Sequence, residues 1–218
     1  MIPCTVDSDG VARRLEDLRR RIEAAGGDPG AVRIVGVTKG FDASAPAAAV
    51  GAGLSDLGES YAQEAVTKAS DGPPGVRWHW VGRLQRNKVR QVAPFVDLWH
   101  SVDRPELGAE IARRAPGAAV LAQVNTSGED TKSGCRPQDA ATLVADLRAE
   151  GLEVRGLMTI AQRGPAEAAS CFRTLRRLAD DLALPERSMG MSEDLDAAVA
   201  EGATLVRVGT ALFGERAR

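Results

Sequence analysis

Four lysines stand among the 28 basic residues of this chain, and the other 24 are arginines. The four are Lys39, Lys68, Lys88 and Lys132. A chain so rich in Arg, Ala and Gly tends to replace lysine wherever arginine serves. A surviving lysine is therefore a candidate for chemistry that arginine cannot do. Schiff-base formation is such chemistry: an amine condenses with a carbonyl, whereas guanidinium stays protonated and is a poor nucleophile. Lys39 ends the apolar run VRIVGVTK at 32–39, which reads as a buried strand. Partial desolvation at a strand end lowers an amine pKa and favours the neutral nucleophile. The plainer alternative is a lysine reaching from the strand end to solvent.

Two later segments could hold an anion. In SMGMS, at 188–192, small and hydroxyl residues precede a helical pattern, and Ser192 is placed to cap it. In VRVGT, at 206–210, Gly209 lets the chain approach closely and Thr210 adds a hydroxyl. Capping for Ser192 and turn geometry for Gly209 are the structural alternatives. Arg207 lies in an apolar strand, where a charge needs a partner. It is either a cation facing the site or half of a buried ion pair, with Glu59 the candidate acid. No nucleotide-binding glycine fingerprint occurs; GAGLSDLG has the wrong spacing.

The elements that position these residues follow from periodicity. Val11, Leu15, Leu18 and Ile22 recur at helical spacing, so 7–25 reads as an amphipathic helix ended by Gly26 and Gly27. Strands are then predicted at 32–39, 55–60, 77–82, 98–102, 119–125, 153–160, 187–190 and 204–210. Helices are predicted between them at 44–53, 61–69, 85–92, 104–115, 137–150, 165–182 and 192–201, with a terminal turn at 211–216. Strand–helix alternation implies right-handed crossovers and a parallel sheet. Eight such units predict an α/β fold: a single-domain (β/α)8 TIM barrel over 32–216, preceded by the extra helix. The strand at 187–190 is the shortest, and without it an open sheet would remain. Barrel sites lie where strands end, and phosphates often bind after the seventh and eighth. That places Lys39, Ser188, Ser192, Arg207, Gly209 and Thr210 at one mouth.

Composition excludes other classes. A net charge of −2 argues against nucleic acid, whose binding rests on a basic surface. No apolar run approaches a membrane span of about 18 residues. Residues 1–10 carry no secretory pattern. Cys4, Cys135 and Cys171 form no CxxC pair, which fits a reducing cytoplasm and no structural zinc. Only two histidines occur, so no metal site is expected. Trp78 and Trp80 flank His79, so they are expected to pack under helices while His79 points into the barrel, as a hydrogen-bonded structural residue.

Several segments together resemble one family. They are VTK (37–39), DLGESYAQE (56–64), WHWVGRLQRNK (78–88), HSVDR (100–104), VNTSGE (124–129) with KSG (132–134), RGLM (155–158), SMGMS (188–192) and VRVGTALFG (206–214). In order and spacing they resemble the pyridoxal phosphate homeostasis protein family, whose barrel is similar to the N-terminal domain of alanine racemase, PLP fold type III. The resemblance covers nearly the whole chain. It implies a Schiff base between Lys39 and pyridoxal 5′-phosphate (PLP). It also implies a phosphate site at Ser192, Gly209 and Thr210 with Ser188 adjacent, and Arg207 at the pyridine nitrogen. The chain departs from the family at Ser60, where Asn is usual, and at Gly40-Phe41.

The resemblance further implies PLP supply without turnover: no catalytic residue, a cytoplasmic monomer, and apo PLP-dependent enzymes as recipients. The alternatives are an amino-acid racemase or lyase on the same barrel, and a Schiff-base aldolase binding a sugar phosphate. A racemase needs an acid/base opposite Lys39, for which the sequence offers Tyr61, His79 and Cys135.

Overall fold

The computed structural model describes residues 6–215. Cys4 and the end of the expected terminal turn, at residue 216, lie outside them. The first helix, α1 (Ser8–Ala24), buries Val11, Leu15, Leu18 and Ile22 on one face. Asp7 caps it, its carboxylate accepting from the amides of Gly10 at 2.8 Å and Asp9 at 3.3 Å.

Eight parallel strands close into a barrel in sequence order. They are β1 (Arg33–Val37), β2 (Asp56–Glu59), β3 (Arg77–Trp80), β4 (Val96–Val102), β5 (Ala119–Gln123), β6 (Glu153–Met158), β7 (Glu186–Ser188) and β8 (Leu205–Val208). Between them run α2 (Ser44–Gly51), α3 (Ala62–Asp71), α4 (Arg86–Val92), α5 (Pro105–Arg114), α6 (Ala140–Ala149), α7 (Pro165–Asp181) and α8 (Leu195–Ala200). A 3₁₀ turn, Pro137–Asp139, leads into α6, and α9 (Thr210–Phe213) follows β8. The expected barrel is therefore observed. β7, the shortest strand, still completes it: Ser188 pairs with Leu205 on β8, while Gly156, Leu157 and Met158 pair with it from β6.

Strand alternation divides the side chains into two layers. Val35, Leu98, Leu121, Met158 and Leu205 form the small apolar cluster inside the barrel. Trp78, Trp80, Trp99, Val206 and Val208 belong to the larger cluster between sheet and helices. The tryptophans thus pack under helices, as expected. Arg207 sits between Val206 and Val208, so it shares the inner face with Leu205.

One expected boundary is corrected. The helix expected at 192–201 begins only at Leu195, so Ser192 does not cap it. Gly190 adopts φ +92°, and the Asp194 carboxylate accepts from the Met191 amide. That turn occupies the residues that would otherwise have wound the first helical turn.

Candidate functional site

Lys39 lies two residues beyond β1, in a turn that Gly40 allows with φ +77°. The turn is held from both sides of the lysine. Before it, the Thr38 hydroxyl donates to Glu59 Oε1 at 2.6 Å, and the Thr38 carbonyl accepts from Lys68 Nζ at 2.7 Å. After it, the Gly40 amide donates to Glu64 Oε2 at 2.8 Å. Lys68 joins the two carboxylates, reaching Glu59 at 2.6 Å and Glu64 at 3.1 Å. The Glu59–Lys68–Glu64 triad thus fixes the backbone that carries Lys39. Glu59 is therefore the partner of Lys68, which corrects the alternative that paired it with Arg207.

Arg207 is buried inside the barrel top. It donates to Ser188 Oγ at 2.6 Å and to the Thr159 carbonyl at 2.7 Å. Burial lowers its pKa to about 10, which leaves it a cation at neutral pH. Ser188 is fully buried, with its hydroxyl shared between Arg207 and His100. It lies beneath the site rather than in its wall.

The loops after β7 and β8 meet each other. The Ala211 amide donates to Ser192 Oγ at 3.3 Å. Helix α1 clamps both loops: Arg21 reaches the Ser192 carbonyl at 3.3 Å, and Arg14 reaches the Leu212 carbonyl at 3.4 Å. The extra helix therefore positions the site as well as covering the barrel.

Lys39, Ser192, Arg207, Gly209 and Thr210 line one open cavity of about 1490 Å³ at the barrel mouth. Five of the six sequence-chosen residues are brought together, and Ser188 joins through Arg207. Ser60 also lines the cavity, packed so close to Gly82 that a Cβ there would lie 2.5 Å from its own Cβ. The scarcity of lysine marked Lys132, but sequence reasoning gave it no place in the site. It lines the cavity and donates to Glu129 at 2.8 Å and to the Ala161 carbonyl at 2.9 Å.

Of the three acid/base candidates, Tyr61 lines the cavity from an exposed position. His79 is buried in the barrel interior, where it was expected. Cys135 pairs with Val124, its amide donating to the Gln123 carbonyl at 2.9 Å. Burial, with Asp139 and Asp103 nearby, pushes its thiol up from 9.0 to about 11. At pH 8 it should hold about a hundredth of an ordinary cysteine's thiolate. Iodoacetamide should therefore label the Cys135 peptide far more slowly than a free thiol; equal rates would contradict the burial argument.

Residues 6–217 match the family described as alanine racemase, N-terminal domain. The pyridoxal phosphate homeostasis protein of Pseudomonas aeruginosa is 41% identical over 96% of this chain and 95% of its own length. The chain belongs to the pyridoxal phosphate homeostasis protein family. The Escherichia coli family member is 36% identical over 94% of this chain and 97% of its own length. PipY of Synechococcus elongatus, a solved structure with PLP bound, superposes with a TM-score of 0.82 at 35% identity, covering 94% of this chain and all of PipY. Lysine decarboxylase from Selenomonas ruminantium, at 16% identity and a TM-score of 0.75, shares the fold. It is longer, this chain spanning 62% of it.

Proposed function

We propose that this chain binds PLP at the barrel mouth and serves its supply rather than its turnover. The observation that carries the reading is the convergence of Lys39, Arg207, Ser192, Gly209 and Thr210 on one cavity. The donor set fits the group. An amine suits its aldehyde, hydroxyls suit its dianionic phosphate, and a guanidinium suits its ring nitrogen. When bound, PLP supplies an electrophilic aldehyde and a ring that can take up electrons.

In this reading Lys39 would hold the cofactor, its amine condensing with the aldehyde with loss of water. Ser192 and Thr210 donate to phosphate oxygens, with Gly209 giving the chain room to approach. Arg207 donates to the pyridine nitrogen without surrendering a proton, since it is still a cation at neutral pH. An unprotonated ring is a weak electron sink, which favours holding the cofactor over carbanion chemistry on it. Tyr61, exposed at the rim, is the acid/base candidate that a racemase reading would retain. Production of L-alanine from D-alanine by the loaded protein would establish that reading instead.

In the same reading the chain is a monomeric carrier that passes PLP to apo enzymes. Cys135 and Cys171 are free thiols, which supports a reducing compartment. Among the described residues no helix is long and apolar enough to cross a membrane.

The phosphate assignment is tested by Ser192→Ala combined with Thr210→Val. Each lost hydrogen bond to a charged group is worth about 1.5–3 kcal/mol. The two losses fall on one phosphate and do not add in full. Affinity for PLP should fall by about one to three orders of magnitude, at about 1.4 kcal/mol per tenfold. Pyridoxal, which lacks the phosphate, should bind almost as before. Equal weakening of both ligands would place the phosphate elsewhere.

A further inference from the structure

The barrel interior holds five polar side chains in a continuous hydrogen-bonded run. Arg207 donates to Ser188 Oγ at 2.6 Å. Ser188 Oγ lies 2.8 Å from His100 Nδ1, and His100 Nε2 lies 2.8 Å from His79 Nδ1. His79 Nε2 lies 2.9 Å from Asp56 Oδ1. Every member is buried, the most exposed being Asp56 at 6%. The run leads from beneath the PLP cavity to Asp56, the first residue of β2.

Its two ends fix the direction in which hydrogens point. Arg207 can only donate. Burial alone would raise the Asp56 pKa. Hydrogen bonds from His79 and Arg77 outweigh that and hold it well below the usual carboxylate range, so Asp56 only accepts. His79 must then carry hydrogen on Nε2. With His79 neutral, its Nδ1 accepts from His100 Nε2–H, and His100 Nδ1 accepts from the Ser188 hydroxyl. The Ser188 oxygen is left to accept from Arg207. Each hydrogen shared between neighbours in the run then has an acceptor, and each bond polarises the next.

Adding a proton to His79 breaks this order. His100 would have to move its hydrogen to Nδ1, and Ser188 would receive from both His100 and Arg207. The Ser188 hydrogen would lose its acceptor. The charges around the pair disfavour that state on one side and favour it on the other. Arg33 on β1, Arg77 on β3 and Arg207 on β8 oppose a cationic ring; Asp56 on β2 and Glu186 on β7 favour one. Leu121 on β5 and Met158 on β6 are neutral. Burial, with His79, Arg207 and Arg33, holds His100 well below the ordinary histidine range.

We propose that His79 and His100 are positioning residues for Arg207, acting through Ser188 to hold the guanidinium against the cofactor ring. The orientation toward the ring rests on the PLP reading above, whereas the relay itself does not. Arg207 forms no direct ion pair with a carboxylate among the described residues. Its hydrogen bonds through the relay end on the Asp56 carboxylate. The histidines thus connect a buried cation to an anion through Ser188, while the Thr159 carbonyl holds the other terminal nitrogen of Arg207.

The chain has only two histidines, so ¹⁵N-histidine labelling gives a readable spectrum from cofactor-free protein. In the cofactor-free protein both rings should carry hydrogen on Nε2 and leave Nδ1 as the acceptor. Arg207→Gln should shift the His100 Nδ1 resonance through Ser188. Hydrogen on Nδ1 of His100, or an unmoved Nδ1 in that variant, would overturn the relay.

The positioning role is read in PLP-loaded protein with Ser188→Ala and, one step further from Arg207, His100→Leu. Both should displace the PLP absorbance maximum and weaken PLP binding about tenfold, roughly the value of one hydrogen bond to a charged group. Lowered melting temperatures with unchanged maxima and affinities would show a merely structural run and overturn the proposal. A change in Ser188→Ala but not in His100→Leu would remove the histidines from it. Wild-type protein that develops no PLP band would sink the cofactor reading, with the relay still decided by the cofactor-free spectra.

Discussion

Replacing Lys39 with arginine should abolish covalent capture of PLP while leaving the barrel folded. The substitution keeps the positive charge at the mouth and removes the nucleophile. Guanidinium stays protonated at neutral pH and offers no amine to the aldehyde carbon. Lys39 lies in a turn whose backbone is fixed by Thr38, Gly40 and the Glu59–Lys68–Glu64 triad, none of which needs the Lys39 side chain. The melting curve should therefore stay close to wild type, and Lys39→Ala should behave alike. Absorbance titration with PLP checks both: the band of bound, covalently held PLP should be absent at every ratio. A band of wild-type intensity in either variant would transfer the bond to another amine.

The second large effect is on stability. Glu59 and Lys68 side chains are 2% and 4% exposed and lie 2.6 Å apart. Removing Lys68 strands the buried Glu59 carboxylate, which costs about 3–5 kcal/mol, whereas removing Glu59 leaves Lys68 its pair with Glu64 and costs less. Glu59→Leu also takes the acceptor of the Thr38 hydroxyl. For a chain of this size that loss lowers the melting temperature by about 2–4 °C per kcal/mol. Replacing both, as Glu59→Leu with Lys68→Met, should recover much of it, since a well-packed apolar pair avoids the desolvation of both charges. Chemical denaturation of the two single variants and the double variant closes the cycle. A double variant less stable than either single would show that the triad's backbone contacts outweigh its charges. The Lys39 turn would loosen with it, because Thr38 and Gly40 both depend on these groups.

The barrel was legible because its signal is local. The run from Val32 to Lys39 reads as a strand from its own residues, and the helix of Val11, Leu15, Leu18 and Ile22 from its spacing. Arg207 was legible in part: alternation sets it opposite Val206 and Val208, and the observed inner face follows. Ser192 misled because capping preference is a tendency of residue type. A carboxylate two positions later, Asp194, took the Met191 amide and delayed the helix. His79 and His100 were beyond local reading. They stand 21 residues apart and meet only when neighbouring strands align. Lys68 and Lys132 were marked by the scarcity of lysine, but nothing nearby in sequence told burial in a triad from a place in the cavity wall. Such distinctions depend on partners from distant strands, which periodicity does not name.

The central claim is that PLP is held at this mouth by the Lys39 amine. Borohydride reduction of PLP-loaded wild-type protein, followed by digestion and peptide mass analysis, tests it most directly, because reduction makes the carbon–nitrogen bond permanent wherever it formed. The label should appear in the peptide containing Lys39 and be lost in Lys39→Ala. Label found mainly on Lys68, Lys88 or Lys132 would contradict the account.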